Sequence, residues 1–71
     1  MATAVVGTLT NRELQILHLI CEGLSTKQIA FELGIAFKTA VSHRSHIMAK
    51  LDAHNTVVLV RYAIRNGLVR A

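Results

Sequence analysis

The chain has 71 residues, 52% of them apolar and 17% charged, with a formal net charge of +4 from eight Lys and Arg against four Asp and Glu. That length and composition exclude more than one domain and a disordered tail, leaving one small globule that buries about 60% of the surface its unfolded chain exposes. The positive balance favours a polyanionic partner such as nucleic acid or an anionic membrane surface, the single Cys21 rules out an internal disulfide and fits a reducing, cytoplasmic setting, and no stretch approaches the roughly 20 apolar residues that span a bilayer.

Residues 1–8 read as a short N-terminal segment without the basic start and apolar run of a signal peptide, and 9–71 as the domain. Leu9-Thr10-Asn11-Arg12-Glu13-Leu14 opens a first helix over about 10–22. Thr10 and Glu13 have the spacing of a capping box, with Leu9 and Leu14 as its hydrophobic staple. Leu14, Leu17, Cys21 and Leu24 recur at helical spacing, and Ile16, Leu19 and Ile20 widen the apolar surface. Such a helix belongs at the centre of a core, and Gly23 stops it.

Ser25 and Gln28 form a second capping box, with Leu24 and Ile29 as staple. The helix they open covers 26–33, turns Ile29, Ala30 and Leu33 inward, and ends at Gly34. A third helix runs over 37–51. On an ideal helix Ile47 and Leu51 fall within about 20° of Ala40, with Lys38, Ser42, Ser45 and Ala49 opposite. Asn55 caps a fourth helix over 56–66, which Gly67 terminates. No strand-period alternation occurs, so the predicted fold class is all-α, a compact four-helix domain.

The middle of the chain joins two of these helices in a distinctive way. Ala30 is small where two helices would cross, Gly34 is free to take the positive φ of a tight turn, and Ala40 is small and inward. Ile35 is placed to plug the turn into the core. This is the spacing of a helix-turn-helix, which presents its second helix to the major groove. A helical corner with no DNA role would share much of this spacing.

The wider pattern goes further. Leu9-Thr10, Arg12-Glu13, Leu17, Leu19-Ile20, Gly23-Leu24-Ser25, Lys27-Gln28-Ile29-Ala30, Leu33, Ile35, Lys38-Thr39, His43-Arg44, Ile47, Lys50-Leu51 and Tyr62-Ala63-Ile64 closely resemble the LuxR family, also called GerE-like or NarL-type domains. The resemblance covers about residues 9 to 69. It implies a four-helix helix-turn-helix that binds double-stranded DNA sequence-specifically, as the output domain of a bacterial transcription regulator. It also implies pairing of two copies on an inverted repeat through the fourth helix, and RNA polymerase as a further partner. Three positions depart from the family. Ala36 stands where a capping Ser or Thr is usual, Val41 where a groove-facing Lys is common, and Thr56 where an Arg often follows the cap. The last change is expected to loosen the junction between the third and fourth helices.

The groove-facing surface carries Lys38, Val41, Ser42, Ser45, His46 and Ala49. It lacks the Arg, Asn and Gln that pair bidentately with guanine or adenine. Readout is therefore expected from Val41 against a thymine methyl and from Ser42 and Ser45. Lys27, Lys38, Thr39 and Lys50 are the candidate phosphate contacts, and Arg44 is either a buttress or a DNA contact. In the fourth helix the surplus apolar face of Val57 and Val58, with Arg61, is the candidate dimer interface. The weak readers support an alternative, a helix-turn-helix that has little DNA affinity and binds a protein through that apolar fourth helix. His43 and His46 diverge by about 60° on an ideal helix, without a nearby Cys or carboxylate at ligand spacing, so no metal or other cofactor is expected. No nucleophile, base and orienter stand together, so no enzyme activity is expected.

Overall fold

The computed structural model describes residues 9–69, and the sequence readings for 1–8, 70 and 71 lie outside the described residues. Four helices follow one another: α1 (Asn11–Cys21), α2 (Thr26–Leu33), α3 (Phe37–Lys50) and α4 (Thr56–Arg65). Among the described residues there is no strand. The all-α reading stands, with each predicted helix present and its ends within one residue of those expected.

The starts follow from local chemistry. Thr10 Oγ1 accepts from the Glu13 amide at 3.0 Å, and Glu13 Oε1 accepts from the Thr10 amide at 2.9 Å. Ser25 and Gln28 repeat the exchange at 3.1 and 2.8 Å. Asn55 Oδ1 accepts from the Val58 amide at 3.0 Å. Each contact satisfies an amide that the helix itself leaves without a partner. Ala36 has the extended backbone of a capping residue (φ −65°, ψ 148°) but no side-chain cap.

All four helices end in one way. The amides of Leu24, Ile35, Ala53 and Leu68 donate five residues back, to the carbonyls of Leu19, Ala30, Met48 and Ala63. This closure requires a left-handed residue just before the donor. Gly23, Gly34 and Gly67 supply it in three cases, and Asp52, at φ 53°, in the fourth. Asp tolerates that region better than most side chains do. No turn signal in the sequence marks this last stop in the way that a glycine does.

The core gathers Leu9, Ile16, Leu17, Ile20, Ile29, Ile47, Leu51, Leu59 and Ala63. α1 lies centrally, in contact with α2, α3 and α4, while α3 packs on both α2 and α1. The buried stripe of α1 is Glu13, Ile16, Leu17 and Ile20. Leu14, Leu19, Cys21 and Leu24 are half-buried at its margins. The apolar periodicity alone centres the stripe differently because the innermost first-turn position is occupied by a carboxylate. Ile35, expected to plug the turn into the core, is only half-buried between α2 and α3 and does not join the side chains packed against the core.

Candidate nucleic-acid interface

α2, the Gly34 turn and α3 form the helix-turn-helix, and two features anchor α3 against the rest. Ala40, Ile47 and Leu51 are buried along one side of it, as its periodicity predicts. At its C-terminal end Lys50 Nζ lies 2.7 Å from Oε1 of Glu13, which is 6% exposed in its side chain. One carboxylate thus closes the first turn of α1 and holds the last turn of α3. Burial by itself would raise the Glu13 carboxyl, but the Lys50 ammonium and the Thr10 contacts outweigh it and hold the group below the usual carboxylate range.

The opposite side of α3 is open. Lys38, Thr39, Val41, Ser42, Ser45, His46 and Ala49 are all exposed, and Lys27 is exposed in the first turn of α2. The helix from Phe37 to Lys50 contains no Asp or Glu. Its outer surface therefore carries cationic, hydroxyl and small apolar groups with no carboxylate to repel a polyanion. This face can meet phosphates and approach base edges closely. Lys50 differs from the other candidate phosphate contacts. Its side chain is one third exposed, at 33%, and its ammonium is bound to Glu13, because a buried carboxylate requires a counter-ion.

Arg44 and His43 are half-buried at the margins of this face. The Arg44 guanidinium donates to Thr56 Oγ1 at the start of α4. The junction between α3 and α4, expected to be loosened by Thr56, is thus bridged in the other direction, with the arginine on α3 and the acceptor on α4. Sequence spacing cannot reveal this pair, since the two residues meet only when the chain reverses after Asp52.

On α4 Leu59 and Ala63 are buried, whereas Val57 (65%), Val58 (38%) and Ile64 (38%) are exposed. Arg61 is exposed beside Val58 in a shallow groove completed by Tyr62 and Arg65. Two exposed aromatics were not among the residues picked from the sequence. Phe31 on α2 is 89% exposed and lines a groove with Leu24, Lys27, Gln28 and Glu32, and Phe37 at the start of α3 is 56% exposed. The signal was available for Phe31, which falls away from the inward positions of its helix, whereas Phe37 lies about 60° from Ala40 on an ideal helix, at the border of the inward face. Cys21 is half-buried, and burial pushes its thiol up, away from the reactive thiolate. Among the described residues no three His, Cys, Asp or Glu side chains converge as a metal site, and no helix is long and apolar enough to cross a membrane.

Comparison with known proteins agrees with this architecture. Residues 7–63 match the model for bacterial regulatory proteins of the luxR family. The chain is 47% identical over 60 residues to the uncharacterized response regulatory protein YgeK of Escherichia coli K12, covering 84% of this chain and 41% of that protein. It is 47% identical over 62 residues to the transcriptional regulatory protein LiaR of Bacillus subtilis 168, covering 87% and 29%. Against the oxygen regulatory protein NreC of Staphylococcus carnosus it is 43% identical over 61 residues, covering 86% and 28%. The chain thus spans less than half the length of these relatives. The match runs through both helices of the helix-turn-helix and the capping boxes before them, and the chain belongs to the luxR family of bacterial regulatory proteins, as a DNA-binding helix-turn-helix domain.

Proposed function

We propose that the domain binds double-stranded DNA sequence-specifically, with α3 in the major groove, as the output unit of a transcription regulator. The observation that carries this reading is the face of α3. Seven neighbouring side chains from Lys38 to Ala49 stand exposed on a helix without acidic residues, while its other side is locked into the core. Lys27, Lys38 and Thr39 meet phosphates, and Val41, Ser42, Ser45 and His46 face the bases. Lys50 positions α3 through Glu13 in preference to a phosphate, since its ammonium already has a carboxylate at 2.7 Å. Two copies sit side by side on an inverted repeat, in contact through Val57, Val58 and Arg61 of α4. RNA polymerase is a downstream partner of the whole regulator.

The test is duplex affinity against salt. With about four to six phosphate contacts per domain, log affinity falls with log salt at a slope of about −4 to −5. Lys38→Ala weakens random and selected duplexes alike and makes the slope shallower by about one unit. Absence of binding to either duplex at low salt would overturn the reading. It would favour a protein-interaction module acting through α4, whose exposed valines support that second reading.

A further inference from the structure

Two of the exposed large apolar side chains lie on the helix that faces DNA. Phe37, 56% exposed, and Val41, 39% exposed, stand one turn apart on α3. On an ideal helix they are about 40° apart, and Val41 lies about 40° from Ser45 and 60° from Lys38. Phe37 thus borders the open face of α3 at its N-terminal turn, about 60° from Ala40, with Val41 between it and Ser45. Residues four apart on a helix support each other, so the ring and the isopropyl group form a single surface. The core does not need either side chain, because Ala40 and Ile47 fill the inward positions of α3.

The charge around this apolar strip narrows what it could meet. Lys38 follows Phe37 directly, Lys27 is exposed on the preceding helix, and α3 contributes no carboxylate. The occupant must therefore offer an apolar contact embedded in negative charge. The major groove of DNA does so at thymine, whose C5 methyl group is the apolar feature of its edge, between two rows of phosphates. The first turns of a recognition helix reach base edges most closely. The face is also poor in bidentate readers, so methyl contacts would supply discrimination that its serines do not.

We infer that Phe37 and Val41 together form a thymine-methyl reader, and that Phe37 is a specificity-determining residue of this domain. The inference rests on the DNA-binding reading above. It assigns a preference for T·A pairs, at adjacent positions of each half-site, to the first two turns of α3.

The experiment uses the 71-residue chain and duplexes selected by it from a random pool. Each thymine is replaced in turn by deoxyuridine, which removes the methyl group and leaves every hydrogen-bonding group in place. For the unaltered chain, one or two replacements per half-site weaken binding about fourfold each, the factor expected for one buried methyl group. In Phe37→Ala the same replacements cost less than about twofold, while the salt slope on a random duplex, set by the charged contacts, is unchanged. Phe37→Leu, which retains an apolar side chain, keeps most of the methyl effect. Thermal melts of both variants exclude unfolding as the cause.

The inference is overturned if deoxyuridine costs nothing at any position, if it costs the same in Phe37→Ala as in the parent, or if selection yields no T-containing site. In each of these cases retained salt-dependent binding to random duplexes leaves the DNA-binding reading standing. Loss of all duplex binding overturns both and would assign the strip to a protein partner.

Discussion

Glu13 serves two partners through one oxygen, Oε1. It accepts from the Thr10 amide, it faces Lys50 at 2.7 Å, and it does so inside the stripe that α1 buries. A buried carboxylate would be unfavourable without these partners. With them its folded pKa lies below the unfolded one. The sign of the pH effect follows. Stabilisation is complete above the unfolded value, within the ordinary carboxylate range, and is lost as pH falls through the depressed folded value. Thermal melts between neutral and strongly acidic pH should show this loss. Glu13→Gln keeps an acceptor for Thr10 but removes the charge that holds Lys50. It should cost about 1–3 kcal/mol at neutral pH and flatten the acid limb of the stability curve. An acid limb as steep as that of the parent would locate the pH dependence elsewhere.

Among the helix starts, α3 is the exception. Thr10, Ser25 and Asn55 cap the other three through their side chains, whereas Ala36 has the right backbone and no acceptor. Ala36→Ser needs no backbone change, since φ −65° and ψ 148° already suit a capping residue. It should raise stability by up to about 1 kcal/mol, read as an increase in melting temperature. An unchanged melting temperature would mean that the added hydroxyl remains in water. The helix ends show how much of an element is legible. Gly23, Gly34 and Gly67 mark three stops at a glance, and the fourth, at Asp52, uses the same hydrogen bonds without the glycine.

For the whole molecule the question is how two copies meet on DNA. The exposed part of α4 is small, and a patch on one helix falls well below the roughly 1,200 Å² of stable interfaces. Pairing should therefore be weak in free solution and gain from the proximity that DNA imposes. Val58→Glu tests this cleanly. Val58 is the third helical residue after the Asn55 cap, and its amide already bonds to Asn55. A carboxylate there favours the helix N-terminus. Thermal stability should hold or rise slightly, and binding to one half-site should persist. Cooperative filling of the second half-site should disappear in titrations on an inverted repeat. Undiminished cooperativity would remove Val58 from the contact, and a stable free dimer at micromolar concentration would contradict DNA-assisted pairing.

The helix starts, the helix count, the inward face of α3 and the outward position of its candidate DNA contacts other than Lys50 are legible in the sequence alone. These depend on partners three or four residues apart, which spacing reveals directly. The surplus on α4 was legible for a related reason, since one helix cannot bury valine on every side. What only the tertiary structure decided are pairings across the fold. Glu13 meets Lys50 and Arg44 meets Thr56, separated by 37 and 12 residues. The first gives the candidate phosphate contact Lys50 a buried carboxylate as partner, and the second joins a junction that Thr56 was expected to weaken. Neither follows from local periodicity, because charge partners are chosen by which helix ends the packing of the core brings together.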